Sequence, residues 1–206
     1  MTQSHSPLIV GNWKMNGLAA DAARLLADLR AQPPLNGVET AVCPPFTLLA
    51  QTRAALEGAD IAFGGQDCSA HPHGAYTGEI SAPMLADAGC RYVIAGHSER
   101  RLYHGETDAR VGQKADAALS AGLTPIVCVG ETLEERKAGK VFDVLALQVQ
   151  GSVPAAATAQ TLVVAYEPVW AIGTGEVATP DQVAEAHAFL SGQLTRLHPA
   201  LAGTRI

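Results

Sequence analysis

Basic residues are scarce in this chain: 14 Lys and Arg stand against 20 Asp and Glu in 206 residues, a formal net charge of −6 at pH 7. Holding a polyphosphate or an acidic membrane takes a clustered surplus of positive charge, so nucleic acid and acidic lipid are disfavoured as partners. Any anionic ligand has to be gripped by a few local groups. Charged residues of both signs amount to 17%, too few for a coiled coil, while a hydrophobic share of 48% is too high for a disordered chain. Nowhere do about 18 apolar residues follow one another, which argues against a membrane span. The polar stretch Met1 to Pro7 shows no basic segment leading into an apolar one, so no export signal is expected. Cysteine is sparse as well. Cys43, Cys68, Cys90 and Cys128 are scattered without a CxxC pair, which disfavours a close-paired zinc site and suits reduced, buried thiols in a cytoplasmic protein.

What is present is a repeating pattern. Short apolar runs, many of them β-branched, recur at Leu8 to Trp13, Thr40 to Cys43, Ile61 to Gly64, Tyr92 to Ala95, Pro125 to Val129 and Leu162 to Tyr166. They are apolar on consecutive residues, as strands covered on both faces are, and this points to a parallel sheet. Between them lie stretches rich in Ala, Leu, Glu, Arg and Gln that predict helices: Leu18 to Arg30, Thr47 to Glu57, Ala82 to Ala88, Asp108 to Ala121, Thr132 to Val149 and Pro180 to Leu197. Thr179, Pro180 and Gln182 form a capping box with proline at the first helical position. Gly89 and Gly122 stand where C-cap glycines let the chain reverse. The fold class is α/β, either an open doubly wound sheet or a closed (β/α)8 barrel. Polar residues cluster just after the strands, at Asn12, Lys14, His97, Glu99, Glu131 and Glu167. Groups from non-adjacent strand ends meet at one point only if the sheet closes, so the barrel is favoured.

Four of these groups carry the chemistry. Glu167 leaves an apolar strand beside Pro168, in a water-poor setting that suits a proton acceptor; its structural alternative is an ion pair with Lys or Arg. His97 stands at the end of the fourth strand, followed by Ser98-Glu99-Arg100-Arg101, which reads as an N-cap and first helical turn. A helix N-terminus disfavours added positive charge, so the imidazole is expected to stay neutral and donate a hydrogen bond; otherwise it is a satisfied core histidine. Lys14, with Asn12 beside it, supplies positive charge for an anion, unless it is simply solvated. The loop Pro168-Val169-Trp170-Ala171-Ile172-Gly173-Thr174-Gly175 has an apolar middle able to close over a ligand, and its glycines can offer amides to an anion.

The segments Gly11-Asn12-Trp13-Lys14-Met15-Asn16, Ala95-Gly96-His97-Ser98-Glu99-Arg100-Arg101 and Ala165-Tyr166-Glu167-Pro168-Val169-Trp170-Ala171-Ile172-Gly173-Thr174-Gly175 together resemble the triosephosphate isomerase family. Gly64-Gly65-Gln66-Asp67 and Cys128-Val129-Gly130-Glu131 extend the resemblance along the whole chain. It implies interconversion of dihydroxyacetone phosphate and D-glyceraldehyde 3-phosphate, hence a place in glycolysis and gluconeogenesis. A glutamate base with a neutral histidine electrophile is the division of labour for which this family is the standing example. Carried over, Glu167 moves the proton, His97 and Asn12 hydrogen-bond the enediolate oxygens, and Lys14 offsets negative charge. Glu99 holds Lys14, while Glu131 and Ser98 support the site. Pro168 to Gly175 forms the lid, and Gly173 grips the phosphate. The segment Cys68 to Glu79 resembles the family's docking loop, which implies a homodimer with Met15, Tyr76, Thr77 and Glu79 at the contact. His71 and His73 lie in that loop without a third ligand nearby. No metal and no organic cofactor is implied.

Gly203-Thr204-Arg205-Ile206 reads as the entry to a seventh strand. The expectation is a single barrel domain over residues 1–206, about six and a half βα units, lacking the last strand and last two helices of a domain that typically runs to about 250 residues. The family's remaining phosphate-binding loops follow strands seven and eight, so a molecule of this extent is expected to bind and turn over substrate poorly. The competing expectation is a truncated, catalytically impaired barrel subunit of the same ancestry, serving as a binding or assembly partner. Another phosphosugar-handling barrel enzyme fits less well. A two-carboxylate glycosidase would not call for the lysine and neutral histidine.

Overall fold

Six strands, Leu8–Asn12 (β1), Glu39–Cys43 (β2), Ala62–Gly65 (β3), Tyr92–Ala95 (β4), Thr124–Val129 (β5) and Val163–Tyr166 (β6), pair in sequence order into one parallel sheet. They are seen in a computed structural model of the chain that describes residues 6–206. Residues 1–5 of the polar segment read above for an export signal lie outside the described residues.

The consecutive apolar residues of these strands are used on both faces. Ala41, Cys43, Tyr92, Ile94, Ile126, Cys128 and Val163 alternate along their strands and pack with one another on the inner face. Their neighbours Val42, Val93, Ala95, Val127, Val129 and Val164 point outward into the layer of helices. Two-residue periodicity thus divides each run between an inner and an outer core.

The sheet curls. Arg205 forms a parallel bridge with Val163, which puts it on the far side of β6 from β5, yet its guanidinium donates to Glu39 at the start of β2, 2.7 Å away. The five intervening strand steps, at roughly 4.8 Å each, would separate these backbones by about 24 Å in a flat sheet, beyond the reach of the two side chains. Tyr92 on β4 also donates its hydroxyl to Glu39. Strand order and curvature together are those of a (β/α) barrel, and the Arg205 bridge agrees with the reading of Gly203 to Ile206 as strand entry.

The helices are Ala19–Ala31 (α1), Leu49–Leu56 (α2), Ala82–Asp87 (α3), Ser98–His104 (α4), Asp108–Ser120 (α5), Leu133–Lys137 (α6), Val141–Ser152 (α7) and Pro180–Leu197 (α8). The Thr179–Gln182 capping box forms as expected. Two expectations need correction. The stretch Thr132 to Val149 is two helices, because Gly139 adopts φ +69° and the Lys140 amide turns back to Glu135. The N-cap of α4 is His97 instead of Ser98: the ring Nδ1 accepts from the Glu99 amide, and the Ser98 amide goes elsewhere. Among the described residues no helix is long and apolar enough to cross a membrane.

Candidate active site

Asn12 ends β1, and Lys14, His97 and Glu167 follow β1, β4 and β6, so strand pairing brings their backbones to the carboxyl rim of the sheet. Lys14 is the only non-glycine residue with positive φ among those described, at +52°. Such a conformation costs about 1–3 kcal/mol and persists only where surroundings enforce it. Here three ties do so. The Lys14 amide donates to Asn12 Oδ1 at 3.0 Å, Gln66 Nε2 donates to the Lys14 carbonyl at 2.9 Å, and Lys14 Nζ pairs with Glu99 Oε1 at 2.7 Å. Asn12 spends its oxygen inside this turn and keeps its NH2 for other partners.

His97 is buried. Its Nδ1 accepts the Glu99 amide at 3.2 Å and so carries a lone pair, which places the proton of a neutral ring on Nε2. That Nε2 lies 2.8 Å from Glu167 Oε1. Glu99 Oε2 stands 3.5 Å from Nδ1, too far to compete for it. The other oxygen of Glu167, Oε2, accepts the Ser98 amide at 2.9 Å. The carboxylate and the imidazole are therefore in direct contact, with both carboxylate oxygens satisfied by the start of α4.

The main chain of Glu167 is fixed just as closely. Its amide donates to the Val129 carbonyl at 2.8 Å, and two residues on the Val169 amide donates to the Glu131 carbonyl at 3.2 Å. Between those two acceptors Gly130 passes so near that a Cβ there would fall 1.7 Å from the Glu167 carbonyl oxygen. Only glycine fits. Arg101 ties the neighbouring strand ends together, donating to the carbonyls of Gly96 at 2.9 Å and Cys128 at 3.2 Å.

Glu131 is fully buried and accepts from Tyr166 at 3.1 Å, Trp170 Nε1 at 2.8 Å and Arg136 at 2.9 Å. Burial and this carboxylate push the Tyr166 phenol upward. Trp170 lies in the 3-10 turn Val169–Ala171 of the expected lid, so a buried carboxylate anchors the lid's first half. Its second half is exposed. Gly173 and its neighbours Ile172, Thr174 and Gly175 are not among the residues lining the cavity at this rim, and neither is Glu167.

That cavity, of about 590 Å³, is lined by Asn12, Lys14, Gln66, His97 and Glu99 together with Phe46, Met15 and Tyr103. Met15 and Tyr103 are largely exposed, as are Tyr76, Thr77 and Glu79 in the segment Cys68 to Glu79, where the His71 and Tyr76 rings stack at 4.2 Å.

Sequence reasoning passed over Lys114. It is buried and pairs with Asp67 at 2.7 Å and with Glu106, while Arg100 reaches Asp67 at 2.9 Å and also meets Glu106. Burial pushes Asp67 up against the pull of Lys114. For Glu106 burial pulls the same way, but hydrogen bonds from Lys114 and Arg100 outweigh it and hold the carboxyl below its usual range. A signal existed: Val111, Lys114, Ala115 and Ala118 have the i, i+3, i+4, i+7 spacing of one buried stripe.

A model of the triosephosphate isomerase family matches residues 7–206. The chain belongs to the triosephosphate isomerase family. It is 54% identical over 197 residues to the triosephosphate isomerase of Thiobacillus denitrificans, covering 95% of this chain and 79% of the relative. To that of Bordetella pertussis it is 53% identical over 187 residues, 90% of this chain and 75% of the relative. The crystal structure of triosephosphate isomerase from Bartonella henselae superposes with a TM-score of 0.85 at 44% identity, covering 97% of this chain and 80% of that one. As a triosephosphate isomerase family member the chain has a barrel fold, consistent with the curled sheet.

Proposed function

We propose that this chain interconverts dihydroxyacetone phosphate and D-glyceraldehyde 3-phosphate by proton transfer through an enediolate, as an intramolecular aldose–ketose isomerase. Glu167 takes the proton from the carbon beside the carbonyl and returns it to the neighbouring carbon. His97 Nε2–H and the Asn12 amide hydrogen-bond the two oxygens on which charge develops. Lys14 offsets the negative charge of phosphate and enediolate, with Glu99 holding its ammonium in place. Pro168 to Gly175 closes over the substrate and brings the Gly173 amide to the phosphate. The observation that carries this assignment is the 2.8 Å contact between Glu167 and His97 Nε2, on a ring whose Nδ1 accepts the Glu99 amide. Base and donor share one small volume beside a lysine.

We read residues 1–206 as one barrel domain and the working form as a homodimer. The Cys68 to Glu79 segment of one copy, carrying Tyr76, Thr77 and Glu79, would fill the cavity beside Lys14 in the other and cover its exposed Met15. Burial of such apolar surface is the driving force.

A coupled assay of triose phosphate turnover on the chain and on Glu167→Asp tests the assignment. Shortening the base by one methylene is expected to lower kcat by about two orders of magnitude. Near-parental turnover by Glu167→Asp would remove Glu167 from its role, and no turnover by the parent at any concentration would favour the binding-subunit alternative.

A further inference from the structure

We infer that Gln148 is a positioning residue for the isomerisation, acting on Glu167 through the Gly130 peptide. The role presupposes Glu167 as the base. As β5 ends, the carbonyls of Val129 and Glu131 accept the amides of Glu167 and Val169. Gly130, between them, is out of phase with that ladder. Its Cα lies against the Glu167 carbonyl with no room for a side chain, so the position of the Gly130 peptide sets that of the Glu167 backbone.

Pairing of β4 with β5 ends at Ala95 and Val127, and among the described residues no main-chain partner takes the amide or carbonyl of Gly130. Gln148 takes both. Its Oε1 accepts the Gly130 amide at 2.7 Å, and its Nε2 donates to the Gly130 carbonyl at 3.0 Å. A carboxamide presents the same donor and acceptor pair as a peptide unit, so this side chain substitutes for a missing strand neighbour. Gln148 rises from α7, one turn after Leu145 and next to Val149, both buried in the core that α7 shares with α5 and α8. The base thus rests on a peptide held by a rigid helix. Asparagine is one methylene too short for this span, and glutamate lacks the donor for the carbonyl.

Gln148→Met keeps length and packing while removing both hydrogen bonds, and Gln148→Glu keeps an acceptor for the amide only. If the clamp positions the base, Gln148→Met lowers kcat about tenfold or more while KM moves less than about twofold, and Gln148→Glu falls between it and the parent. The discriminating readout is the primary deuterium isotope effect with substrate labelled at the transferred hydrogen. A displaced base slows proton transfer and raises that effect. A purely structural role reduces the amount of active enzyme and leaves the isotope effect and KM at parental values. Because the isotope effect does not depend on enzyme concentration, it decides even where only a fraction of a variant is soluble, and Gln148→Glu supplies it if Gln148→Met does not fold. Glu167→Asp is run alongside. If it is impaired with a raised isotope effect while both Gln148 variants keep parental kcat and isotope effect, the clamp is refuted and the base stands. If Glu167→Asp is itself near parental, the base assignment fails and the clamp with it.

Discussion

Replacing Gly130 by alanine should damage catalysis more than its small volume suggests. The added Cβ would lie 1.7 Å from the Glu167 carbonyl oxygen and 2.7 Å from the carbonyl carbon. Comfortable carbon–oxygen approach begins near 3.3 Å, so the two peptides must part by on the order of 1.5 Å. The obstacle is backbone, which has no rotamer to escape into. Separation stretches the 2.8 Å bond from the Glu167 amide to Val129 and draws the carboxylate from His97 and Ser98. A misplacement of about 1 Å at a reacting group costs roughly a hundredfold, and kcat of Gly130→Ala is expected to fall by at least that much. Overpacking adds a stability loss of about 1–3 kcal/mol. Gly112→Ala is the control. Its Cβ meets the Gly151 carbonyl at 2.7 Å where α5 crosses α7, and its nearest neighbours are Gly151 and Ser152, neither assigned to the chemistry. It should lose comparable stability and keep its turnover per folded molecule. Kinetics in the coupled assay and thermal melts on both variants check this. A Gly130→Ala enzyme with kcat within roughly threefold of the parent, at a melting loss like that of Gly112→Ala, would refute the claim that Gly130 sets the height of the base.

Lys14→Met should abolish measurable binding of a three-carbon phosphate analogue in a calorimetric titration, because it removes the cation held in this rim turn by Glu99; unchanged affinity would contradict the charge assignment. Burial pushes Cys43 and Cys68 up to about 12 and Cys90 to about 11, and it holds Cys128 well above its usual range. At pH 8 the folded chain should therefore label with a thiol reagent at least about a hundredfold more slowly than the unfolded chain, which a colorimetric thiol count would show. At the other end of the barrel, burial pulls Glu39 upward, but hydrogen bonds from Tyr92 and Arg205 and the Arg91 charge outweigh it and leave the carboxyl below its ordinary 4.5. A folded value below the unfolded one means that this group stabilises the chain above the unfolded value and ceases to do so as pH falls through the folded one. Glu39→Gln should lower the urea midpoint at pH 7 and flatten its decline below about pH 4.5, whereas parallel declines in parent and variant would deny Glu39 that role.

The barrel was legible because burial on both strand faces leaves a mark in sequence: consecutive apolar residues such as Tyr92 to Ala95, closed by a polar group. The four residues proposed for the chemistry stand out for the same reason, as polar groups at the carboxyl ends of apolar runs. Three features were not legible. Gly139 breaks what reads as one helix, since glycine within a helical stretch signals a stop only when its φ is known. His97 caps α4 although Ser98 is the commoner cap residue, and this frees the Ser98 amide for Glu167. Gln148 and Lys114 look like polar positions on amphipathic helices; Gln148 touches Gly130, 18 residues away, and Lys114 reaches Asp67, 47 residues away, as well as the nearer Glu106. Chain separations of that size carry no local signal. Only the apolar stripe around Lys114 hints that its charge is turned inward.

The contact between Glu167 and His97 also constrains how substrate enters. On the proposed roles, an enediolate oxygen needs the His97 Nε2–H that lies 2.8 Å from Glu167 Oε1 in the structure. Substrate must therefore displace the carboxylate from the imidazole, and the carboxylate then gives up the Ser98 amide or pivots upon it. The exchange is close to neutral for the ring, which trades one anionic oxygen for another, so the donor needs no reorganisation as charge develops. For Glu167 it is not neutral. The carboxylate loses one or two charge-assisted hydrogen bonds, each worth about 1.5–3 kcal/mol, and its oxygen is freed at the moment a carbon acid is beside it. On these proposed roles, arrival of substrate and release of the carboxylate are a single event, whose cost falls on the substrate's binding energy.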